Sequence, residues 1–212
     1  MLLEMCTDIY KQPSPSFEQA LPMWQNAPNP VYYNTIDAWG SGYSLIKDAN
    51  FILDNLANAS IIDATTKSQL TAEARFLRAY DYFYLVQLYG DIPLRTTTIQ
   101  SYSQIQIPRT SQDSIYNFIL SDLNYAEANL PTTTPQQGRV YQLVATSLLA
   151  KVYLTMAGYP LKQTQYFQNA RDKALTVINS GTFQLDSSYS SVFHNLAYTD
   201  ESIWEGLYMQ SY

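Results

Sequence analysis

The chain has 212 residues, 46% hydrophobic and 14% aromatic, which is enough apolar surface to bury a core and excludes intrinsic disorder. Charged residues make up only 14%, against about 25% in an average soluble domain, so Ser, Thr, Asn and Gln must wet the surface. The net charge is −6 and no basic block occurs, which argues against nucleic acid as a partner.

No stretch approaches the roughly 20 apolar residues needed to span a bilayer. Met1-Leu2-Leu3-Glu4-Met5-Cys6 is too short for a signal peptide and carries Glu4 where an apolar run belongs. Cys6 lacks the small residues that precede a lipidated cysteine. As the lone cysteine it forms no disulfide within the chain and reads as a free thiol. Residues 1–35 hold Pro13, Pro15, Pro22, Pro28 and Pro30 and read as an irregular segment. Within it Trp24, Tyr32 and Tyr33 form an aromatic cluster, with Asn26, Asn29 and Asn34 beside it. A flat ring can stack on the apolar face of a sugar while amides bind its hydroxyls, so these three aromatics are the candidate ligand contacts. The alternative is that the rings pin the segment to the helices.

From Ile36 a helical pattern begins. Ile36, Trp39, Tyr43, Ile46, Asn50, Leu53 and Leu56 recur at spacings of three or four, with Gly40 and Gly42 weakening the first turn. A second helix is expected over Thr71–Tyr89. Ala72, Phe76, Ala79, Phe83 and Val86 form one apolar face and Leu70, Leu77, Tyr84 and Leu88 another, so this helix should be packed between neighbours. Gly90-Asp91-Ile92-Pro93 stops it, and a loop of Thr, Ser and Gln follows. Ser111 caps a third helix whose apolar face is Ile115, Phe118, Ile119, Leu123 and Ala126, ending at Leu130-Pro131. A fourth runs from about Val140 to Ala157, with rows at Leu143, Ser147, Ala150, Leu154 and at Val140, Val144, Leu148, Lys151, Thr155. A fifth covers about Thr164–Ser180, with Phe167, Ala170, Ala174, Leu175 and Ile178 inward. Residues 182–212 read as loop, with a short strand over Glu201–Tyr208.

This is an all-α fold: an antiparallel helical array over 36–181, with an irregular N-terminal segment and a short C-terminal strand. Leu149, Ala150, Tyr153, Gly158 and Tyr159, followed by Ala170 and Ala174, echo the tetratricopeptide pattern, in which small residues mark close helix crossings. On that pattern the first helix is the second half of a repeat, as if the chain began inside a solenoid.

Candidate chemistry is sparse. His194 is the lone histidine; a Cys6–His194 nucleophile pair is arithmetically possible but has no supporting context, and zinc lacks ligands. No cofactor site is read. Gly40-Ser41-Gly42 has Leu45 where a dinucleotide fingerprint needs glycine. Asn58-Ala59-Ser60 matches a glycosylation sequon by letter. Glu73, Asp81 and Asp91 are the candidate carboxylates for a glycosidase. Glu73 and Asp81 lie about 12 Å apart along one helix. Arg75 and Arg78 are their expected partners, with Arg78 in reach of Asp81 or Tyr82, and such pairs are usually structural.

Residues 72–94 are more specific. Ala72-Glu73-Ala74-Arg75-Phe76-Leu77-Arg78-Ala79-Tyr80, then Tyr82-Phe83, then Leu88-Tyr89-Gly90-Asp91-Ile92-Pro93-Leu94 resemble the hallmark of the SusD/RagB family. The flanks agree in order: Trp39, Tyr43, Ile46 and Asn50; Pro108-Arg109-Thr110-Ser111; Asp122-Leu123; Gly138-Arg139; Val152-Tyr153-Leu154; and Glu201-Ser202-Ile203-Trp204-Glu205. The resemblance covers Trp39 to about Tyr208. It implies a tetratricopeptide-like, non-enzymatic nutrient-binding lipoprotein of the Bacteroidetes. Such proteins face the exterior at the outer membrane and form a lid on a TonB-dependent transporter. They capture oligosaccharides, or in some members peptides, for import. In the family Glu73, Arg75, Arg78, Asp81, Gly90, Asp91 and Pro93 would be structural, and ligand residues lie in variable loops. Family members are longer and lipidated, so the anchor and the C-terminal half are expected to be missing here. The competing expectation is a scaffold that binds a peptide or the transporter without binding glycan.

Overall fold

The computed structural model describes residues 33–133, 136–188, 190 and 199–205, with side chains from Ala38 onward. Among the described residues the α-helices are α1 (Tyr33–Asn58), α2 (Ala64–Tyr89), α3 (Gln112–Asn129), α4 (Gln142–Ala157) and α5 (Tyr166–Asn179). The chain divides into two units after Ser44. The first contributes the opening turns of α1, where Trp39 and Tyr43 meet at 4.8 Å. In the second, α2 packs on α3, α3 on α4 and α4 on α5, the antiparallel helical array expected from the sequence.

Helix α1 starts three residues before Ile36, so Gly40 and Gly42 lie in its interior rather than in its first turn. Ile46, Asn50 and Leu56 are buried as their spacing predicts. Helix α2 starts seven residues before Thr71. Asp63 sets that start: its carboxylate accepts the Thr66 N–H at 2.9 Å, and this hydrogen bonding holds the carboxyl below the usual range. The opening turns carry Thr65, Thr66, Lys67 and Ser68, so no apolar periodicity announced them.

The primary face of α2 is as read: Ala72, Phe76, Ala79, Phe83 and Val86 are all buried. The second face is not. Leu77 and Tyr84 are exposed, and the second buried row is Ala74, Arg78, Tyr82 and Leu85. Arg78 and Tyr82 can face inward because their polar ends find partners, a fact that apolar periodicity cannot register. The core opposite is Ile115, Ile119, Leu123 and Ala126 of α3, with Phe118 half-buried and edge-on to Tyr82 at 5.7 Å. Phe83 and Tyr116 meet at 6.2 Å.

Ser111 caps α3 through the Ser114 N–H at 3.4 Å, and Asp91 adds a second cap by accepting the Gln112 N–H at 2.9 Å. Helix α4 buries Ala145, Leu149, Val152 and Met156 completely, while the predicted row ends on an exposed Leu154. Helix α5 is rotated from its predicted face. Ala170 and Val177 are buried, whereas Phe167, Leu175 and Ile178 are exposed. Tyr166 stacks on Tyr153 of α4 at 5.3 Å, and Lys173 pairs with Glu127 of α3. These partners draw the polar side of α5 toward the array.

The expected strand is absent from its described part. Residues 201–205 are turn and coil, and among the described residues the β pairing is one antiparallel bridge, Ile92 to Thr110. That bridge closes the neck of the 90–110 loop over a fully buried Ile92. Gly90 makes the turn into it at φ +72°, ψ −124°, a region that L side chains rarely adopt. Gly90→Ala is expected to lower stability by about 1–3 kcal/mol in urea unfolding.

Candidate functional site

The hallmark residues on α2 converge on two polar clusters. The first centres on Arg78, whose side chain is 6% exposed. Its Nε and Nη2 donate to the two carboxylate oxygens of Asp122 on α3 at 2.8 and 3.0 Å. Its Nη1 donates to Asn50 Oδ1 on α1 at 2.7 Å and to the Thr96 carbonyl at 3.0 Å. Asn50 in turn donates to the carbonyls of Arg95 and Thr97. The Tyr82 hydroxyl donates to the Arg95 carbonyl at 2.8 Å and accepts the Arg95 N–H at 2.7 Å. One guanidinium thereby ties three helices and the long loop together. Burial pushes the Asp122 carboxyl up, against the pull of Arg78 and Arg75. Burial also raises the Tyr82 hydroxyl to about 12. Arg75 lies over the Tyr125 ring at 4.1 Å and only grazes Asp122 at 3.9 Å.

The second cluster centres on Glu73. Both its oxygens accept from Arg139 Nη2, at 2.7 and 2.6 Å, and Oε1 also accepts from Gln69 at 3.2 Å. The residue before Arg139 holds the terminal segment: the Gly138 carbonyl accepts Trp204 Nε1–H at 3.0 Å. The Trp204 ring then meets Phe76 and Tyr80 edge-on, each at 5.4 Å.

The expected partnerships are therefore corrected. Glu73 pairs with Arg139, not with Arg75 or Arg78. Arg78 pairs with Asp122, not with Asp81 or Tyr82. Intrahelical neighbours lose because Arg78 points into the α2–α3 seam, where the Asp122 carboxylate offers a two-pronged match. Asp81 is half-buried without a hydrogen bond or ion pair among the described residues, and burial alone raises its carboxyl to about 7. Asp91 caps α3, Gly90 makes the turn, and Pro93 sits half-buried in the loop neck. Trp24 and Tyr32 lie outside the described residues. Tyr33 opens the α1 backbone, and its side chain lies outside them too. Asp122, Arg139 and Trp204 stand 44, 66 and 66 positions from their partners, so no local spacing could join them. The Arg78 cluster is turned inward, whereas Arg139 of the second cluster is 39% exposed; both tie α2 to other parts of the chain.

Residues 3–154 match a SusD-like family described as starch-binding associating with outer membrane. The chain is 31% identical over 171 residues to SusD-like protein P25 of Formosa agariphila, covering 79% of this chain and 31% of that one. It is 34% identical over 163 residues to the starch-binding protein SusD of Bacteroides thetaiotaomicron, covering 76% and 27%. The fold matches a SusD superfamily protein of Parabacteroides distasonis with a TM-score of 0.83 and 32% identity, over 90% of this chain and 41% of that one. The chain spans less than a third of the length of these two curated relatives.

Arg78→Met would strand the Asp122 carboxylate in the core and is expected to cost about 3–5 kcal/mol in urea unfolding. Asp81 makes the opposite kind of prediction. Its folded carboxyl binds a proton more tightly than the unfolded one. Its contribution to stability is therefore full at acid pH and declines as pH rises from about 4 to about 7. Asp81→Asn should melt several degrees above the unsubstituted chain at pH 8 and level with it at pH 4.

Proposed function

The chain belongs to the SusD-like family, and from that membership we propose that it takes part in capturing an oligosaccharide for import through a TonB-dependent outer-membrane transporter. The observation that carries this reading is the division of labour along the matched residues. Within the hallmark, Arg78 joins α2 to α1 and α3, and Glu73 joins α2 to the connection before α4. Ligand contact is thereby left to segments outside the hallmark. We assign it to the aromatic cluster Trp24, Tyr32 and Tyr33, whose rings would stack on sugar faces while the flanking asparagines bind hydroxyls. Binding of this kind needs no covalent step. The full-length parent would sit on the exterior of the outer membrane on a lipid anchor. No described helix is long and apolar enough to cross a membrane.

A second reading is favoured by the exposed Phe167, Leu175 and Ile178 on α5, which suit a protein surface better than a sugar. On it, the array is a scaffold that meets the transporter or a peptide, and glycan binding resides elsewhere in the longer protein. Affinity electrophoresis against a polysaccharide panel, with calorimetry on each hit, separates the two. The glycan reading expects retardation that Trp24→Ala removes; the scaffold reading expects none.

A further inference from the structure

The loop between α2 and α3 is polar in sequence yet tightly built. From Thr96 to Ile107 it contains no charged residue. Its inner edge is held by Arg78, Asn50 and Tyr82 as described, and by Asp54 of α1. The Asp54 Oδ2 accepts both the Thr98 N–H at 2.9 Å and the Thr98 hydroxyl at 2.6 Å, which holds its carboxyl below the usual range. Its tip is a 3-10 turn over Tyr102–Gln104. Gln104 Oε1 accepts the N–H groups of Gln100 and Ser101 at 2.6 and 3.2 Å, and the Arg95 guanidinium donates to the Gln104 and Ile105 carbonyls. The Gln100 amide donates to the Thr98 hydroxyl at 2.7 Å, and the Ser101 and Ser103 hydroxyls meet at 2.9 Å.

This scaffolding holds out an aromatic ring: Tyr102 is 89% exposed, with Ile99 and Ile105 at 48% and 47%. A large ring held in water beside two further exposed apolar side chains forms a small apolar patch of the kind that contact sites present. Its surroundings define the partner. The ring's neighbours along the loop are hydroxyl and amide groups, and the charge that reaches the tip, the Arg95 guanidinium, is engaged by the Gln104 and Ile105 carbonyls, so the tip offers a flat apolar face together with neutral hydrogen-bonding groups. A neutral sugar presents the same pair of features, an apolar ring face rimmed by hydroxyls. The hydrogen bonds within the tip order it before binding and so reduce the entropy lost on contact.

We propose that the loop tip, Gln100–Gln104, is a glycan-contact site in which Tyr102 stacks on a neutral sugar unit and the adjacent Ser and Gln side chains bind its hydroxyls. The proposal rests on the glycan-binding reading above and adds to it a site separate from the Trp24 cluster. The test is affinity electrophoresis and calorimetry of the 212-residue chain with amylopectin, xylan, galactan and mannan. On whichever polysaccharide retards the chain, Tyr102→Ala should weaken affinity about tenfold, roughly the worth of one ring contact. Tyr102→Phe, which keeps the ring, should bind nearly as the unsubstituted chain does. The melting temperature should be unchanged in both, since the side chain is almost wholly in solvent. Unchanged affinity in Tyr102→Ala, beside retardation that Trp24→Ala removes, overturns this site and leaves the functional reading standing. So does concentration-dependent self-association in sedimentation that Tyr102→Ala abolishes, which would assign the ring to a second copy of the chain. No retardation on any polysaccharide overturns both.

Discussion

The structure depends on the burial of one guanidinium. Arg78 of α2 sits where α1, α3 and the long loop meet it, and each of those three elements satisfies part of it. A charge taken out of water costs several kcal/mol unless it is paired and hydrogen-bonded, so the array is stable only in the arrangement that completes this set. An apolar side chain in the same place would tolerate small shifts of α3 along α2. The paired Asp122 does not, because two parallel hydrogen bonds fix distance and orientation together. The loop is placed by the same atoms, through Thr96 directly and through Arg95 and Thr97 by way of Asn50.

The second cluster does for the chain's distant parts what Arg78 does for its neighbours. Glu73 draws in Arg139 from the α3–α4 connection, and Gly138 beside it receives Trp204. The Trp204 ring then covers Phe76 and Tyr80 on α2. Residues far apart in the sequence but close in the family resemblance thus meet on one helix. Each completes a contact that the others begin.

Scaffold and surface are therefore built from different residues. Buried ions and large rings set the helices, while neutral Ser, Thr and Gln clothe the connections. The 90–110 loop joins the two roles. Its inner edge is wired to Arg78 and Asp54, and its outer edge presents Tyr102. Fixing one edge of a loop to the core is what allows the other to hold a side chain steadily in water.

Much of this was legible in the letters. The five helices, the principal core rows of α2 and α3, the caps at Ser111 and Gly90 and the family resemblance all follow from periodicity, capping chemistry and short motifs, which are local properties. Three features were not. The start of α2 at Asp63 was hidden because its opening turns carry no apolar pattern. Periodicity misplaces the second face of α2 and the face of α5 because Arg78, Tyr82, Tyr166 and Lys173 point inward, and a polar residue does so only when a distant partner receives it. Helical spacing shows only near neighbours and so points to ion pairs within α2, whereas Asp122 and Arg139 stand 44 and 66 positions from their partners. The sequence by itself determined which segments are helical and which family they resemble. The tertiary structure alone decided which charge meets which, because pairing across helices depends on distances that exist only once the chain has folded.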